Sequence, residues 1–130
     1  MIDADQLARQ LEAGTVDAAA FGHAEHVAAG YALLRRYPFE DAALRYARGI
    51  RSLARAAGAP DKFHMTVTLA FLSLIGERLT VTKASNFAEF AAANADLLSA
   101  SCLDKWYTSA RLDCPTARRT FVLPDRTASA

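Results

Sequence analysis

The chain has 130 residues, of which 52% are hydrophobic, and its formal net charge is +1. This length and composition predict one folded domain with a core of its own, and they exclude a disordered chain. The balanced charge provides no general attraction to nucleic acid or to anionic lipid, so we expect neither as a partner.

Signals for export, membrane insertion and disulfide formation are all weak in this sequence. Charged residues interrupt any apolar run at the start of the chain, so we expect no signal peptide. The longest apolar stretch, residues 67–75, is too short to cross a bilayer. Cys102 and Cys114 lie outside any Cys-x-x-Cys motif, and we expect two reduced thiols. These features predict a cytoplasmic location.

The first two predicted helices lie before Pro38. Residues 2–16 predict a short amphipathic helix that Gly14 ends. A second helix is predicted to begin near His23. It ends before Pro38, because the residue that precedes a proline disfavours helical backbone angles.

The third predicted helix spans residues 39–57 and ends at Gly58. One of its sides carries what we call the arginine stripe: Arg45, Arg48, Arg51 and Arg55. Because the whole chain is charge-balanced, a solvated helix face is one interpretation of the stripe. The other is a docking face for an acidic protein partner.

The fourth and fifth predicted helices carry signals at their starts. Residues 59–79 predict a helix that Pro60 or Asp61 opens. This helix is apolar on nearly every side along its middle, as expected for the central helix of a bundle. Residues 85–98 predict the fifth helix, in which Asn86 begins a motif that resembles a capping box.

Five helices, short connections and no alternating strand pattern predict an all-α fold. We expect a single compact bundle over residues 1–130. Beyond the fifth helix, short turns and helical pieces lead to a small polar tail, residues 126–130, that is expected to fray.

All three histidines of the chain are predicted to point inward. At about 100° per residue, His23 and His26 project from the apolar side of the second helix, and His64 projects from an apolar side of the fourth. Each lies near the start of its helix. Glu25 projects away from the histidines, and His-Ala-Glu-His does not match the His-Glu-x-x-His motif of metalloproteases.

Three interpretations of these histidines stay open. In the first, His23, His26 and His64 bind one divalent transition metal, zinc or iron, and Asp125 adds an oxygen ligand. In the second, a metal-free pocket uses a histidine as general base, because burial and a helix N-terminus keep the imidazole neutral. In the third, each histidine is a core residue that hydrogen-bonds to a hydroxyl or a carbonyl group.

The residues around the histidines predict a small-molecule pocket with apolar walls. The expected walls are Val27, Tyr31, Leu34, Phe71 and Ile75. We expect His26 and His64 to be catalytic, with Tyr31 or a second histidine as proton donor.

Further contacts to a ligand are expected from the fourth helix and from the C-terminal segment. Phe71 and Thr68 share the His64 side of the helix. The Thr68 hydroxyl either orients an imidazole or bonds back to its own helix. A segment anchored by Phe121 is expected to fold back over the bundle, which would bring Arg118 or Asp125 to the site.

Several short motifs occur in order from residue 21 onward: FGHAEH, FHMTVT, NADLL, WYTSARL, ARRTFV and LPD. In them the chain resembles a small, largely uncharacterised bacterial all-α family with the patterns Phe-x-His-x-x-His, aromatic-His-x-Thr-x-Thr and Ala-Arg-x-x-Phe-Val-x-Pro-Asp. The family has proline at the position of Ala95 and an aromatic residue directly before the serine that corresponds to Ser109. The resemblance implies a helical fold and groups these residues, and it implies no reaction.

Together these patterns predict a small-molecule enzyme with a three-histidine site that binds a divalent transition metal in a buried helical pocket. The alternative is a non-catalytic module that binds a small ligand, or an accessory subunit, in which the histidines are structural. In both cases the chain could also bind a protein partner or a second copy of itself. The arginine stripe is the place where such a partner would bind.

Overall fold

The computed structural model describes residues 1–126, which form a bundle of α-helices without any strand in that part of the chain. The longer helices are α1 (Ala4–Ala13), α2 (His23–Arg36), α3 (Phe39–Ala56), α4 (Met65–Val81) and α5 (Phe87–Ala93). Two short helices follow, α6 (Ser109–Asp113) and α7 (Pro115–Arg119). Turns of 3₁₀ helix cover Ala18–Ala20, Pro60–Lys62, Ala95–Leu98 and Ala100–Lys105. The prediction of an all-α fold is confirmed.

Capping residues in the sequence explain the ends of α1 and the start of α5. The Asp3 carboxylate accepts a hydrogen bond from the backbone N–H of Gln6 at 3.0 Å. Gly14 ends α1 with a φ of 72°, in the left-handed region that favours glycine. Asn86 accepts a hydrogen bond from the backbone N–H of Glu89 at 2.9 Å, as the capping motif predicts.

The predicted fourth and fifth helices each divide into two elements. Residues 60–62 form a 3₁₀ turn, and α4 begins only at Met65, because the His64 side chain caps it there. α5 ends at Ala93, and a separate 3₁₀ turn over Ala95–Leu98 completes the segment. The predictions of continuous helices over residues 59–79 and 85–98 are therefore wrong at these ends.

α2 and α4 pack side by side in the centre of the bundle, as expected. Leu33 on α2 and Leu72 and Ile75 on α4 are completely buried. A β-carbon at Gly30 would lie 3.1 Å from Cδ1 of Ile75, so a glycine at this position permits the close approach of the two helices. This pairing brings the N-terminal ends of α2 and α4, with their histidines, to the same end of the bundle.

The C-terminal segment folds back onto α4. The buried Thr66 hydroxyl donates to the carbonyl oxygen of Thr120 at 2.8 Å and accepts from the N–H of Val122 at 3.1 Å. Val122 is buried, whereas Phe121 is 41% exposed, so the prediction that Phe121 anchors this segment is wrong. Consecutive side chains of an extended segment point to opposite sides, and here it is Val122 that faces the bundle.

None of the helices between residues 1 and 126 combines the length and the hydropathy needed to cross a lipid bilayer. Cys102 and Cys114 are both free thiols. The expected fraying of the tail concerns residues 127–130, which lie outside the described residues.

Candidate functional site

A cavity of about 490 Å³ lies against α2, α3 and α4, and all three histidines line it. Its volume is in the range of small-molecule pockets. Most of its walls are aliphatic or aromatic, and they include Phe21, Val27, Ile50, Phe63, Val67 and Phe71. The structure thus brings His23, His26 and His64 together around one apolar space.

His64 uses both ring nitrogens within the fold. Nδ1 accepts a hydrogen bond from the backbone N–H of Val67 at 3.1 Å and so caps α4. Nε2 lies 2.7 Å from the carbonyl oxygen of Leu112, to which it must be the donor. These two bonds require the hydrogen on Nε2 and leave His64 no nitrogen for a ligand.

His23 uses one ring nitrogen in the same manner. Its Nε2 donates to the carbonyl oxygen of Leu97 at 2.9 Å, which ties the start of α2 to the 3₁₀ turn after α5. The ring meets Phe71 edge-on, with the two centroids 4.8 Å apart. Nδ1 of His23 has no hydrogen-bond partner among residues 1–126.

His26 differs from the other two because its protein hydrogen bond stays within its own helical turn. Nδ1 donates to the carbonyl oxygen of Gly22 at 2.8 Å, so the neutral ring carries its lone pair on Nε2. Nε2 has no partner in the described part of the chain. Since no buried side-chain nitrogen or oxygen of that part lacks a partner, Nε2 is not completely buried, and His26 is one of the residues that line the cavity.

The surroundings of His26 favour the neutral imidazole. Burial lowers the pKa of His26 below its ordinary value, because an apolar environment disfavours the charged ring. The Gly22 carbonyl acts in the opposite direction with a smaller effect, and the neighbouring His23 lowers the pKa further. Phe21 packs edge-on against the ring, with the centroids 4.6 Å apart. His26 therefore presents a neutral base to the cavity near neutral pH.

Two cavity residues with hydroxyl groups support the helix backbone beside the histidines. Tyr46 of α3 donates to the carbonyl oxygen of His26 at 2.9 Å, and burial raises the pKa of its phenol, so it remains a donor. The Thr68 hydroxyl donates to the carbonyl oxygen of His64 at 2.7 Å. Of the two roles considered for Thr68, the structure shows the bond back to its own helix.

Tyr31 does not line the cavity, so the expectation that it donates a proton there is wrong. Its hydroxyl accepts a hydrogen bond from Arg35 at 2.9 Å, and its ring packs against Phe87 and Phe90. The predicted walls Leu34 and Ile75 also lie elsewhere, whereas Val27 and Phe71 do line the cavity. Tyr31 is two turns along α2 from His23, beyond the end of the helix where the cavity lies.

The C-terminal candidates also lie outside the cavity. The Asp125 carboxylate accepts hydrogen bonds from the N–H of Thr108 at 2.9 Å and from its hydroxyl at 2.7 Å. Thr108 in turn caps α6, so Asp125 joins the two ends of the C-terminal segment and is no ligand of the histidines. Arg118 donates to the carbonyl oxygen of Asp61 and lines a separate cleft.

The arginine stripe does not form one continuous surface. The Arg45 guanidinium bonds to both Glu12 and Asp41, which neutralise it. The Arg51 guanidinium lies over the ring of Phe63, with Cζ 4.3 Å from the ring centroid. The stripe is thus divided among different neighbours, and a partner would not meet it as a single basic face.

The residues present do not fit the predicted three-histidine metal site. Within residues 1–126, no three His, Cys, Asp or Glu side chains form a group that could hold an ion. His64 lacks a free nitrogen, and Asp125 is held by Thr108. His23 and His26 remain, which is fewer than the three protein ligands of a catalytic zinc site.

Residues of α3 and of the following turn complete the cavity, and the sequence analysis missed them. Tyr46, Ile50 and Leu53 come from α3, and Lys62 and Phe63 come from the turn before α4. The spacing of Tyr46, Ile50 and Leu53 places them on one apolar side of α3 and predicts that this side faces the core. It did not indicate that this side would meet the histidines.

Comparisons with known proteins assign no family to the chain: no protein-family model, curated protein or solved structure matches it. The resemblance to the bacterial all-α family therefore stays a prediction. Any function has to follow from the residues of the site itself.

Proposed function

We propose that the cavity binds a small, mainly apolar molecule that carries a hydrogen-bond donor, and that His26 accepts this hydrogen bond and serves as general base. The observation that carries the proposal is the tautomer of His26. Because Nδ1 donates to Gly22, the lone pair of the neutral ring lies on Nε2, which has no protein partner among residues 1–126.

The surroundings of Nε2 suit a base that works near neutral pH. The lowered pKa keeps the imidazole unprotonated and able to accept a proton. The Gly22 carbonyl would stabilise the imidazolium that forms, since it accepts the Nδ1 hydrogen in both states. Most of the cavity walls are apolar, and a bound ligand would displace water from the base, which would strengthen its hydrogen bond to the ligand.

His23 and His64 have positioning roles in this proposal. Each donates from Nε2 to a carbonyl of a distant segment, Leu97 for His23 and Leu112 for His64. These bonds fasten the turn after α5 and the end of α6 to the helices that carry the cavity. The shape of the pocket thus depends on both imidazoles, and His64 has no free nitrogen with which to react.

A non-catalytic ligand-binding module is the second candidate, and the same lone pair favours it. Nε2 of His26 would then hold a ligand without taking its proton. The two candidates share the binding step and differ in the proton transfer, so binding is the first property to test.

Phenol is a suitable probe, because it combines one apolar ring with one hydroxyl donor. We expect saturable phenol binding that weakens as the pH falls through the lowered pKa of His26, since the protonated ring no longer accepts a hydrogen bond. His26→Gln should abolish this pH dependence, because an amide does not titrate. The measurement is calorimetric titration of both proteins over a pH series. An identical pH dependence in the two proteins, or no binding by the unmodified chain, would refute the proposal.

Titration with zinc distinguishes these metal-free candidates from a site in which His23 and His26 alone hold a metal ion. His23 and His26 are three residues apart on α2, and each has one ring nitrogen without a partner among residues 1–126, which is the observation that favours such an ion. Zinc that binds there would occupy the lone pair of His26, so it should weaken phenol binding and leave the ring signals of His64 unchanged.

A further inference from the structure

A second concave surface shares Phe63 with the histidine cavity. This cleft of about 600 Å³, here named the arginine cleft, is lined by Arg51, Pro60, Asp61, Phe63, Pro115, Arg118 and Arg119. Three segments that are distant in sequence meet there: α3, the turn before α4, and α7. The fold thus brings Arg51 of α3 beside Arg118 and Arg119, which are consecutive in the sequence.

Two of these guanidinium groups are positioned by partners that carry no negative charge. Cζ of Arg51 lies 4.3 Å from the centroid of the Phe63 ring. Nη1 of Arg118 donates to the backbone carbonyl oxygen of Asp61 at 2.9 Å. The ion pairs within the described residues involve other basic groups, so none of them neutralises Arg51, Arg118 or Arg119.

The charge of the cleft is one-sided. Three guanidinium groups line it together with a single carboxylate, that of Asp61, in a chain whose net charge is only +1. An anion that enters the cleft would therefore meet several charged hydrogen-bond donors at once. A doubly charged anion would be attracted more strongly than a singly charged one.

The shape of the donors points to a phosphate group. A guanidinium presents its N–H groups as a planar fork that matches two oxygens of a phosphate, and a phosphate monoester has three terminal oxygens to share among forks. Pro60, Pro115 and Phe63 form an apolar edge beside the charges, against which an organic group can lie. We propose that the arginine cleft binds the phosphate of a small phosphomonoester through Arg51, Arg118 and Arg119.

This site goes beyond the proposed function of the His26 cavity and does not depend on it. The Phe63 ring contributes to both spaces, but none of the three arginines lines the cavity and none of the histidines lines the cleft. His26→Gln is accordingly expected to retain phosphate binding, and substitutions in the cleft are expected to retain phenol binding.

Titration with inorganic phosphate at constant ionic strength tests the proposal. The arginine side-chain N–H signals in ¹H–¹⁵N spectra should shift saturably for the arginines of the cleft. Arg118→Lys and Arg119→Lys keep the charge and remove the fork, and each should weaken phosphate binding about tenfold. Arg55→Lys is the matched control, because Arg55 is an exposed arginine of α3 outside the cleft. The affinity of this variant for phosphate should equal that of the unmodified chain.

Arg119 is exposed, so its substitution should not change the stability of the fold. If the melting temperature is unchanged, a loss of phosphate affinity is due to the cleft itself. Absence of saturable shifts, or an equal loss in Arg55→Lys, would overturn the proposal. So would tighter binding of an oligothymidylate about ten nucleotides long through the same arginines, which would identify the cleft as a nucleic-acid surface.

Discussion

At the scale of single residues, the partners of the ring nitrogens separate the histidines. His64 uses both ring nitrogens: one caps α4 and the other bonds to the carbonyl oxygen of Leu112. His23 uses one ring nitrogen, which bonds to the carbonyl oxygen of Leu97. His26 bonds only to Gly22, one turn before it. Helical periodicity could predict that all three rings point inward. It could not predict which carbonyl meets which nitrogen, because Leu97 and Leu112 lie 74 and 48 residues from their histidines and helical periodicity gives no information on such distant contacts.

The first prediction contrasts His64→Gln with His26→Gln. His64→Gln should lower the free energy of unfolding by about 1–3 kcal/mol, because the carbonyl of Leu112 or the N–H of Val67 loses its partner. His26→Gln should cost less, since its only protein bond is local and the amide can replace it. Urea unfolding of both variants is the measurement. Equal losses would contradict the division of the histidines into two roles.

The second prediction concerns two neighbouring threonines of α4. Thr66→Val removes a completely buried hydroxyl that serves both Thr120 and Val122, so it should lower the free energy of unfolding by about 2–3 kcal/mol. Thr68→Val is the control, because the carbonyl of His64 keeps its bond to the Thr68 N–H, and its cost should stay below about 1 kcal/mol. Thermal unfolding of both variants is the measurement. A larger loss of stability in Thr68→Val than in Thr66→Val would contradict these roles of the two hydroxyl groups.

At the scale of elements, a glycine controls how closely α1 and α3 pack. A β-carbon at Gly49 of α3 would lie 2.5 Å from Cγ of Leu11 on α1. Leu11 is buried, so its side chain cannot move into solvent without losing apolar contact. By contrast, a β-carbon at Gly76 of α4 would meet nothing closer than 3.9 Å.

The third prediction follows from this difference. Gly49→Ala should lower the free energy of unfolding by about 1–3 kcal/mol, because the added methyl group overpacks the α1–α3 contact. Gly76→Ala makes the same chemical change where space exists, and it should raise the free energy by up to about 1 kcal/mol through helix propensity. Denaturant unfolding of both variants checks the opposite signs, and stabilisation by Gly49→Ala would contradict the packing described here.

The helices themselves could be predicted, but not how they meet. Pro38, Gly14 and Asn86 mark helix ends by local chemistry, and the structure has ends close to each of them. The misplacement of Tyr31 and the omission of Tyr46 have a common cause. A helical wheel gives the direction of a side chain around the axis, but it does not say which neighbouring helix lies there or at what height.

At the scale of the whole molecule, groups with lowered pKa values should shape the dependence of stability on pH. Burial lowers the pKa of His26, so the unfolded chain binds its proton more readily than the folded chain. Stability should therefore fall as the pH decreases below about 6.5, the ordinary value for histidine. The hydrogen bonds from Arg78 lower the pKa of Asp96 to about 2, so a second loss should follow as the pH falls from about 4 towards that value.

The fourth prediction is that substitutions at His26 and Asp96 change these two pH responses separately. His26→Gln should abolish the contribution below about pH 6.5 and leave the acidic one. Asp96→Asn should reduce the acidic response and leave the other, because the hydrogen bonds from Thr108 also lower the pKa of Asp125, which keeps its share. Urea midpoints measured across the pH range test both. The exposed fraction of the Asp96 side chain is 39%, so solvent screens its ion pair and the acidic response should also shrink in high salt. A His26→Gln profile that matches the unmodified chain above pH 5 would be inconsistent with a lowered pKa at His26.

The measurement that most directly tests the central claim is ¹⁵N spectroscopy of the imidazole rings near neutral pH, with and without phenol. The account predicts that neutral His26 carries its hydrogen on Nδ1, that His64 carries its hydrogen on Nε2, and that phenol moves the Nε2 signal of His26 while leaving His64 unchanged. A hydrogen on Nε2 of His26, or an Nε2 signal that stays in place while phenol occupies the cavity, would contradict it.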